Sequence, residues 1–155
     1  MRAFCSILHL IRSVHLSGIQ NQQALIDIFG EYPSFHDAEV LSILLDRDGE
    51  ASPSLTIQIH AWHMTNEVDQ KGYFILKNQT VITFLFGQIL LESLSGFNHQ
   101  NVLWDLEIDE IDSEERANEG CCYKVFMSSS YGCEVLFKCQ SITVVSAVPY
   151  LSAVR

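Results

Sequence analysis

The chain has 155 residues, 48% of them hydrophobic and 18% charged, and its 19 acidic residues against nine lysines and arginines give a formal net charge of −10. This length predicts a single domain over residues 1–155, because it supports one sizeable core and not two. The acidic excess argues against binding to nucleic acids or anionic membranes, since both kinds of binding gain affinity from Lys and Arg. The hydrophobic content argues against intrinsic disorder.

One or two helices are predicted at the N-terminal end of the chain. Residues 1–18 carry apolar side chains at helical spacing, which predicts a helical extension, unless the start codon is misassigned. Histidines and an arginine interrupt this apolar run and no small-residue cleavage site follows, which argues against a signal peptide. Residues 20–29 have one apolar face and predict a second helix, which Gly30 ends.

Short segments of alternating polar and apolar residues follow, and such alternation is typical of strands with one buried face. The predicted strands cover residues 35–45, 54–64, 73–77, 80–86 with its continuation 89–94, 102–111, 122–128, 133–138 and 142–147. Residues 37–45 also fit a helix, and residues 113–120 are predicted as a polar, acidic loop. Short connections favour an antiparallel meander. The predicted fold class is therefore α+β: an N-terminal helix or helices followed by a mostly antiparallel sheet of about seven or eight short strands.

The clearest alternation lies in residues 102–111. Val102, Trp104, Leu106 and Ile108 share one face of this strand, and acidic residues occupy the other. The acidic residues continue into the loop that follows. They form either a solvated surface or a docking surface for a basic protein. The candidate partner-binding residues are Asp105, Glu107, Asp109, Glu110, Asp112, Glu114 and Glu115.

Two polar segments could carry chemistry. In the first, His36 stands beside Asp37 and Glu39, a combination that suits acid–base chemistry or metal binding. The alternative is a polar anchor hydrogen-bonded to nearby backbone at the start of a strand. In the second, residues 98–101 place four hydrogen-bonding side chains between two strands, where they either brace a loop or contact a ligand or partner.

Other catalytic or metal-binding patterns are weak. His60 and His63 point to opposite faces of the predicted strand, which argues against joint metal ligation. Five cysteines without a Cys-x-x-Cys pair argue against a disulfide framework and a zinc ribbon, and they fit a reducing cytoplasm. No Gly-x-Ser-x-Gly elbow or glycine-rich phosphate loop occurs. We therefore predict no catalytic residues, no metal site and no cofactor.

The segment Tyr32-Pro33-Ser34-Phe35-His36-Asp37-Ala38-Glu39-Val40 resembles the WPSFHDAEV signature of the immunity protein 50 family of bacterial polymorphic toxin systems. Residues 80–86 and 96–103 resemble the downstream strand of that family and its FNHQN loop, and the resemblance covers residues 26–111. Tyr32 stands where the family often has Trp. The resemblance implies a small cytoplasmic antitoxin that needs no catalytic residues. It also implies a structural role for the motif residues Phe35, His36, Asp37, Glu39, Asn98, His99, Gln100 and Asn101.

Two classes of function follow. The leading hypothesis is an immunity protein that binds and neutralises a cognate, basic toxin through the acidic residues 105–115. The alternative is a small ligand-binding or enzymatic domain that uses His36, Asp37 and His99, or a structural domain without a toxin partner. Aromatic residues on the second face of residues 54–64 would support a homodimer.

Overall fold

The computed structural model describes residues 18–151, and within that range nine strands form one sheet. The strands are β1 (Ile19–Gln20), β2 (Glu39–Asp46), β3 (Ser54–Val68), β4 (Phe74–Gly87), β5 (Leu90–Ser95), β6 (Val102–Glu110), β7 (Tyr123–Tyr131), β8 (Glu134–Cys139) and β9 (Ser141–Pro149). The helices of this range are α1 (Gln23–Phe29) and α2 (Ser113–Glu119). The strand order is β1-β9-β4-β3-β2-β6-β7-β8-β5, and every neighbouring pair is antiparallel except β1 with β9.

The predicted α+β fold class is wrong, because the described chain is mostly β. Strands make up 58% of it and helices 10%, and no helical region precedes the strands within residues 18–151. Gln20, the predicted start of a helix, pairs instead with Thr143 of β9. Helix α1 is too short to be stable alone and forms where Leu25 and Phe29 are buried. The helix predicted over residues 1–18 falls outside the described residues, except for Gly18.

The sheet differs from the predicted meander in its order and in the extent of its strands. Strand β9 pairs with β4, and β5 pairs with β8, so neighbours in the sheet are often distant in the chain. The predicted strands 73–77 and 80–86 join into the single strand β4, and β2 begins only at Glu39. The predicted alternation of β3 is confirmed, because its side chains Leu55, Ile57, Ile59 and Ala61 are all buried.

The prediction of a loop over residues 113–120 is also wrong, because this segment forms helix α2. The side chain of Asp112 caps this helix by accepting hydrogen bonds from the backbone N–H groups of Glu114 and Glu115 at 3.1 and 2.9 Å. Gly120 ends it in the left-handed conformation with φ of 73°. All side chains of α2 are polar or small, so hydrophobic periodicity could not reveal the helix.

The two halves of the sheet face each other across one apolar core. Phe86 of β4 and Phe137 of β8 are both 0% exposed, and their ring centroids lie 4.9 Å apart. Four strands separate β4 from β8 in the sheet, so the sheet must bend around the core for these rings to meet. Further ring contacts of 5.8–5.9 Å link Phe86 through Phe84 to Phe35 and Tyr32.

Strands β2 and β6 share few register pairs, and we call their junction the seam. Only Glu39 and Val102 pair in register between these strands. The residues on either side of this pair complete the junction: the N–H of Val40 donates to Asn101 O at 2.8 Å, and the N–H of Leu103 donates to Ala38 O at 2.8 Å. These extra hydrogen bonds satisfy backbone N–H and C=O groups at the seam that the single register pair leaves over.

Candidate functional site

The two polar motif segments meet at the seam. His36 Nδ1 lies 2.8 Å from the carbonyl oxygen of Trp104, so the ring N–H donates to that carbonyl. The two rings also meet edge-on, with centroids 4.8 Å apart. Asp37 has a positive φ of 65°, and its Oδ1 lies 3.7 Å from His36 Nε2. Glu39 opens β2 and pairs in register with both Val102 and His60.

The segment 96–101 braces the other side of the seam. Asn101 is 3% exposed; its Oδ1 accepts from the Asn98 N–H at 2.9 Å, and its Nδ2 donates to Asn98 O at 2.6 Å. The N–H of Gln100 donates to Asn98 Oδ1 at 2.9 Å. These bonds fold the segment back on itself. His99 is exposed and makes no hydrogen bond with the described part of the chain.

The structure therefore brings His36 to Trp104 rather than to His99. Two surface depressions of residues 18–151 lie elsewhere: one has lining residues from β6, β7 and β8 and the other from residues 44–56 and Leu85. Neither contains His36, Asp37 or His99. The ligand-binding or enzymatic alternative needs these three side chains in one pocket, and the geometry gives that arrangement no support.

Tyr32, which stands where the family often has Trp, packs edge-on against Phe35 with ring centroids 5.9 Å apart. Burial raises the pKa of Tyr32 well above its usual value. Phe35 itself is 2% exposed. The departure from the family signature therefore keeps an aromatic ring that packs against the core.

Strand β6 turns one side chain to the side opposite to that predicted. Register shifts on both sides of Leu103 place that residue in the core, and Trp104 is 61% exposed. The prediction that Trp104 shares a face with Leu106 and Ile108 is wrong, because regular alternation fails at a β-bulge. Beyond the bulge, alternation resumes and Leu106 and Ile108 are buried.

The acidic side chains of β6 point outward. Asp105, Glu107 and Asp109 are exposed and alternate with the buried Leu106 and Ile108. Successive carboxylates on one face of a strand lie about 7 Å apart. Glu107 and Asp109 border a shallow depression of about 320 Å³, which is also lined by Lys124, Phe126 and Leu136. This face is held in place because its strand is anchored in the core.

The acidic side chains around α2 are largely engaged within the protein. Lys138 Nζ lies 2.7 Å from Glu115 Oε1 and 2.6 Å from Glu119 Oε2, and these two hydrogen bonds raise the pKa of Lys138. Asp112 caps the helix, as described above. Asp109 pairs in register with Lys124. The sequence did not predict that these two lysines lie beside the acidic residues. Lys124 and Lys138 follow the acidic segment in the chain, and only strand pairing brings them next to it.

Among the seven candidate residues, four neither cap α2 nor make an ion pair with a cation in residues 18–151: Asp105, Glu107, Glu110 and Glu114. Three lie on β6 and one in the first turn of α2. The unneutralised part of the acidic surface is therefore centred on β6. A partner-binding role for the seven residues stays a prediction.

The cysteines are the remaining candidates for reactive side chains. Cys121, Cys122, Cys133 and Cys139 are free thiols, and burial raises the pKa of Cys139 to about 12. A thiol with such a pKa is a poor nucleophile. Within residues 18–151 no group of three or more His, Cys, Asp or Glu side chains could hold a metal ion. No helix of the same range is long and apolar enough to cross a membrane.

The outer face of β3 carries His60, whose ring stacks on Tyr150 at 3.8 Å and contacts Trp62 at 4.8 Å. Beyond Trp62 the β3–β4 hairpin extends past its neighbouring strands and exposes Met64 and Phe74. A homodimer through this face stays a prediction.

His60 is expected to make the stability pH-dependent below about pH 6.5. Burial lowers the pKa of His60, although a hydrogen bond with Gln79 and the charge of Glu39 oppose this shift. As the pH falls, the unfolded chain takes up the proton first, so the free energy of unfolding decreases. Above this range His60 is neutral in both states and contributes no dependence. Denaturant titrations between pH 5 and 8 should show this slope in the wild type and a smaller one in His60→Phe.

His63 supplies the control for this prediction, since it lies on the same strand and is exposed. His63→Phe should keep the wild-type slope. Equal slopes in the wild type and His60→Phe would contradict the assignment to His60.

The described chain is a mostly β protein that presents an acidic strand face. The chain matches the family described as Immunity protein 50 over residues 21–150, and it belongs to that family. The resemblance seen in residues 32–40, 80–86 and 96–103 is thereby confirmed, and the match extends over most of the chain. Membership implies a toxin as the binding partner. Comparisons with curated proteins and with solved structures give no significant match.

Proposed function

We propose that this protein is a cytoplasmic antitoxin that binds a cognate polymorphic toxin and neutralises it by contact alone. The contact surface is the acidic face of β6 together with the start of α2, and the toxin surface that it covers is basic. The protein carries no catalytic residues and uses no cofactor.

The outward row of carboxylates on β6 is the observation that carries this proposal. Asp105 and Glu107 make no ion pair with a cation in residues 18–151, while Leu106 and Ile108 bury the opposite side of the strand. A charged surface fixed on a strand loses little conformational entropy on binding. Concentrated negative charge also steers a basic partner and raises the association rate.

Reversal of this charge is expected to abolish protection. The variant Asp105→Lys/Glu107→Lys/Asp109→Lys should raise the Kd for the toxin domain encoded beside this gene by on the order of 100-fold or more, because like charges then meet across the contact. Cells that co-express this variant with the toxin should no longer survive. Binding to a catalytically inactive toxin domain, measured at several salt concentrations, should also lose most of its salt dependence.

A matched control tests whether position or total charge matters. Asp27→Lys/Glu31→Lys/Glu50→Lys makes the same change in net charge at exposed residues elsewhere. This control should retain rescue and most of the affinity. If both triple variants bind as tightly as the wild type, the acidic face does not contact the toxin. If the wild type neither binds the toxin nor protects cells, the proposed function is wrong.

A further inference from the structure

We propose that Trp104 is an anchor of the toxin-binding surface, at one end of its acidic row, and that it receives a cationic side chain of the toxin, an arginine or a lysine. This inference rests on the proposed function and specifies the chemistry of the contact. Trp104 directly precedes Asp105 and is 61% exposed. Tryptophan is one of the residue types enriched among those that dominate binding energy at interfaces.

The backbone of β6 turns the Trp104 ring toward solvent. Register shifts lie between Val102 and Leu103 and between Leu103 and Asp105, so the second shift falls at Trp104 itself. Without them, regular alternation would place Trp104 on the same side as the buried Leu106. Bulges that re-aim one side chain are typical of functional positions in sheets.

The ring is also held in position before any partner arrives. His36 donates a hydrogen bond to the Trp104 carbonyl at 2.8 Å and packs edge-on against the indole at 4.8 Å. The seam holds His36 in turn, since the N–H of Asp37 donates to Leu103 O at 3.0 Å. An anchor fixed in this way loses little rotamer entropy on binding, which favours affinity.

The surroundings of Trp104 favour a cation over a neutral apolar group. Asp105 follows it in the chain, and Asp37 lies beside His36 with a side chain that is 45% exposed. The indole face attracts cations more strongly than any other aromatic side chain. A guanidinium or ammonium stacked on Trp104 would have these carboxylates next to it, and its aliphatic stem would cover apolar surface.

Substitutions at Trp104 separate this contact from general charge attraction. Using the catalytically inactive toxin domain encoded beside this gene, Trp104→Ala should raise the Kd by about 30-fold or more, mainly through faster dissociation. Trp104→Leu keeps an apolar side chain without a π face and should lose nearly as much. Trp104→Phe should recover part of the affinity. The salt dependence should stay close to that of the wild type in all three variants.

Two further measurements complete the test. Tyr73→Ala removes an aromatic side chain that is 71% exposed at the turn between β3 and β4, and it should leave the Kd unchanged. The sequence has two tryptophans, so the background variant Trp62→Phe leaves the intact Trp104 as the only one. In that background, toxin binding should shift the emission of Trp104 and protect it from iodide quenching, even if substitutions of Trp104 itself fail to fold.

The outcomes distinguish this inference from the function on which it rests. If the toxin is bound and neutralised while Trp104→Ala binds normally or Trp104 fluorescence stays quenchable, the anchor is refuted and the proposed function stands. If Trp104→Leu binds like the wild type, the contact is apolar and the cation is refuted. If the wild type does not bind the toxin, both proposals fail.

Discussion

Replacing Phe137 with alanine is expected to lower the free energy of unfolding by about 3–5 kcal/mol. Phe137 is fully buried, and its ring meets Phe86 edge-on at 4.9 Å from the opposite half of the sheet. The substitution removes the burial of the ring and leaves a cavity that a bent sheet, held by hydrogen bonds on both sides, cannot easily close. Since small domains are stable by only about 5–15 kcal/mol, this variant should be close to unfolding.

Phe126→Ala is the matched control for this prediction, because Phe126 lies on neighbouring β7 and lines the depression on the outer face. Urea titration should show a clearly smaller loss for Phe126→Ala than for Phe137→Ala. Phe86→Ala combined with Phe137→Ala should cost less than the sum of the single variants, because the two rings contact each other. Equal losses for Phe126→Ala and Phe137→Ala would mean that the two halves do not share a core.

Replacing Gly132 with alanine is expected to cost about 2–5 kcal/mol, through backbone strain and a steric clash at the seam. Gly132 has a φ of 85°, which L side chains rarely adopt. A Cβ atom there would lie 2.5 Å from Gln100 O and 2.8 Å from Asn101 Oδ1. These atoms belong to the folded segment that braces the seam, so they cannot move without breaking its hydrogen bonds.

Gly72 separates the two causes. Its φ is also 85°, but a Cβ atom there would meet nothing within 4 Å. Gly72→Ala should therefore cost only the strain of the left-handed backbone, about 1–2 kcal/mol. The difference in thermal or urea stability between the two variants measures the clash at the seam. If Gly132→Ala costs no more than Gly72→Ala, the segment 96–101 is not rigidly packed against the β7–β8 turn.

Alternation predicted individual strands well and their arrangement poorly. A two-residue period of apolar and polar residues was enough to predict the buried face of β3 and the outward carboxylates of β6, because each strand has one face in the core. The pairing of β9 with β4 and of β5 with β8 depends on which apolar faces fit together across the bend. Local periodicity does not determine that fit, and the predicted meander therefore differs from the observed strand order.

The same distinction applies to the candidate site. The acidic residues and both motif segments could be recognised from residue types alone. The outward turn of Trp104 could not, because a bulge in β6 breaks the alternation at that residue. Neutralisation of Glu115 and Glu119 by Lys138 could not be foreseen either, since strand pairing brings Lys138 to a helix 19 to 23 residues earlier in the chain.

The amino-acid sequence was sufficient to establish the family, the acidic surface and the short strands, because motif order, net charge and periodicity are local or additive properties. The tertiary structure decided the fold class, the exposure of Trp104 and which carboxylates remain without an ion pair in the described residues. These depend on contacts between distant segments, above all at the seam, where residues 34–40 and 96–104 meet. Strand pairing and core packing select those contacts together, so no single segment of the chain contains them.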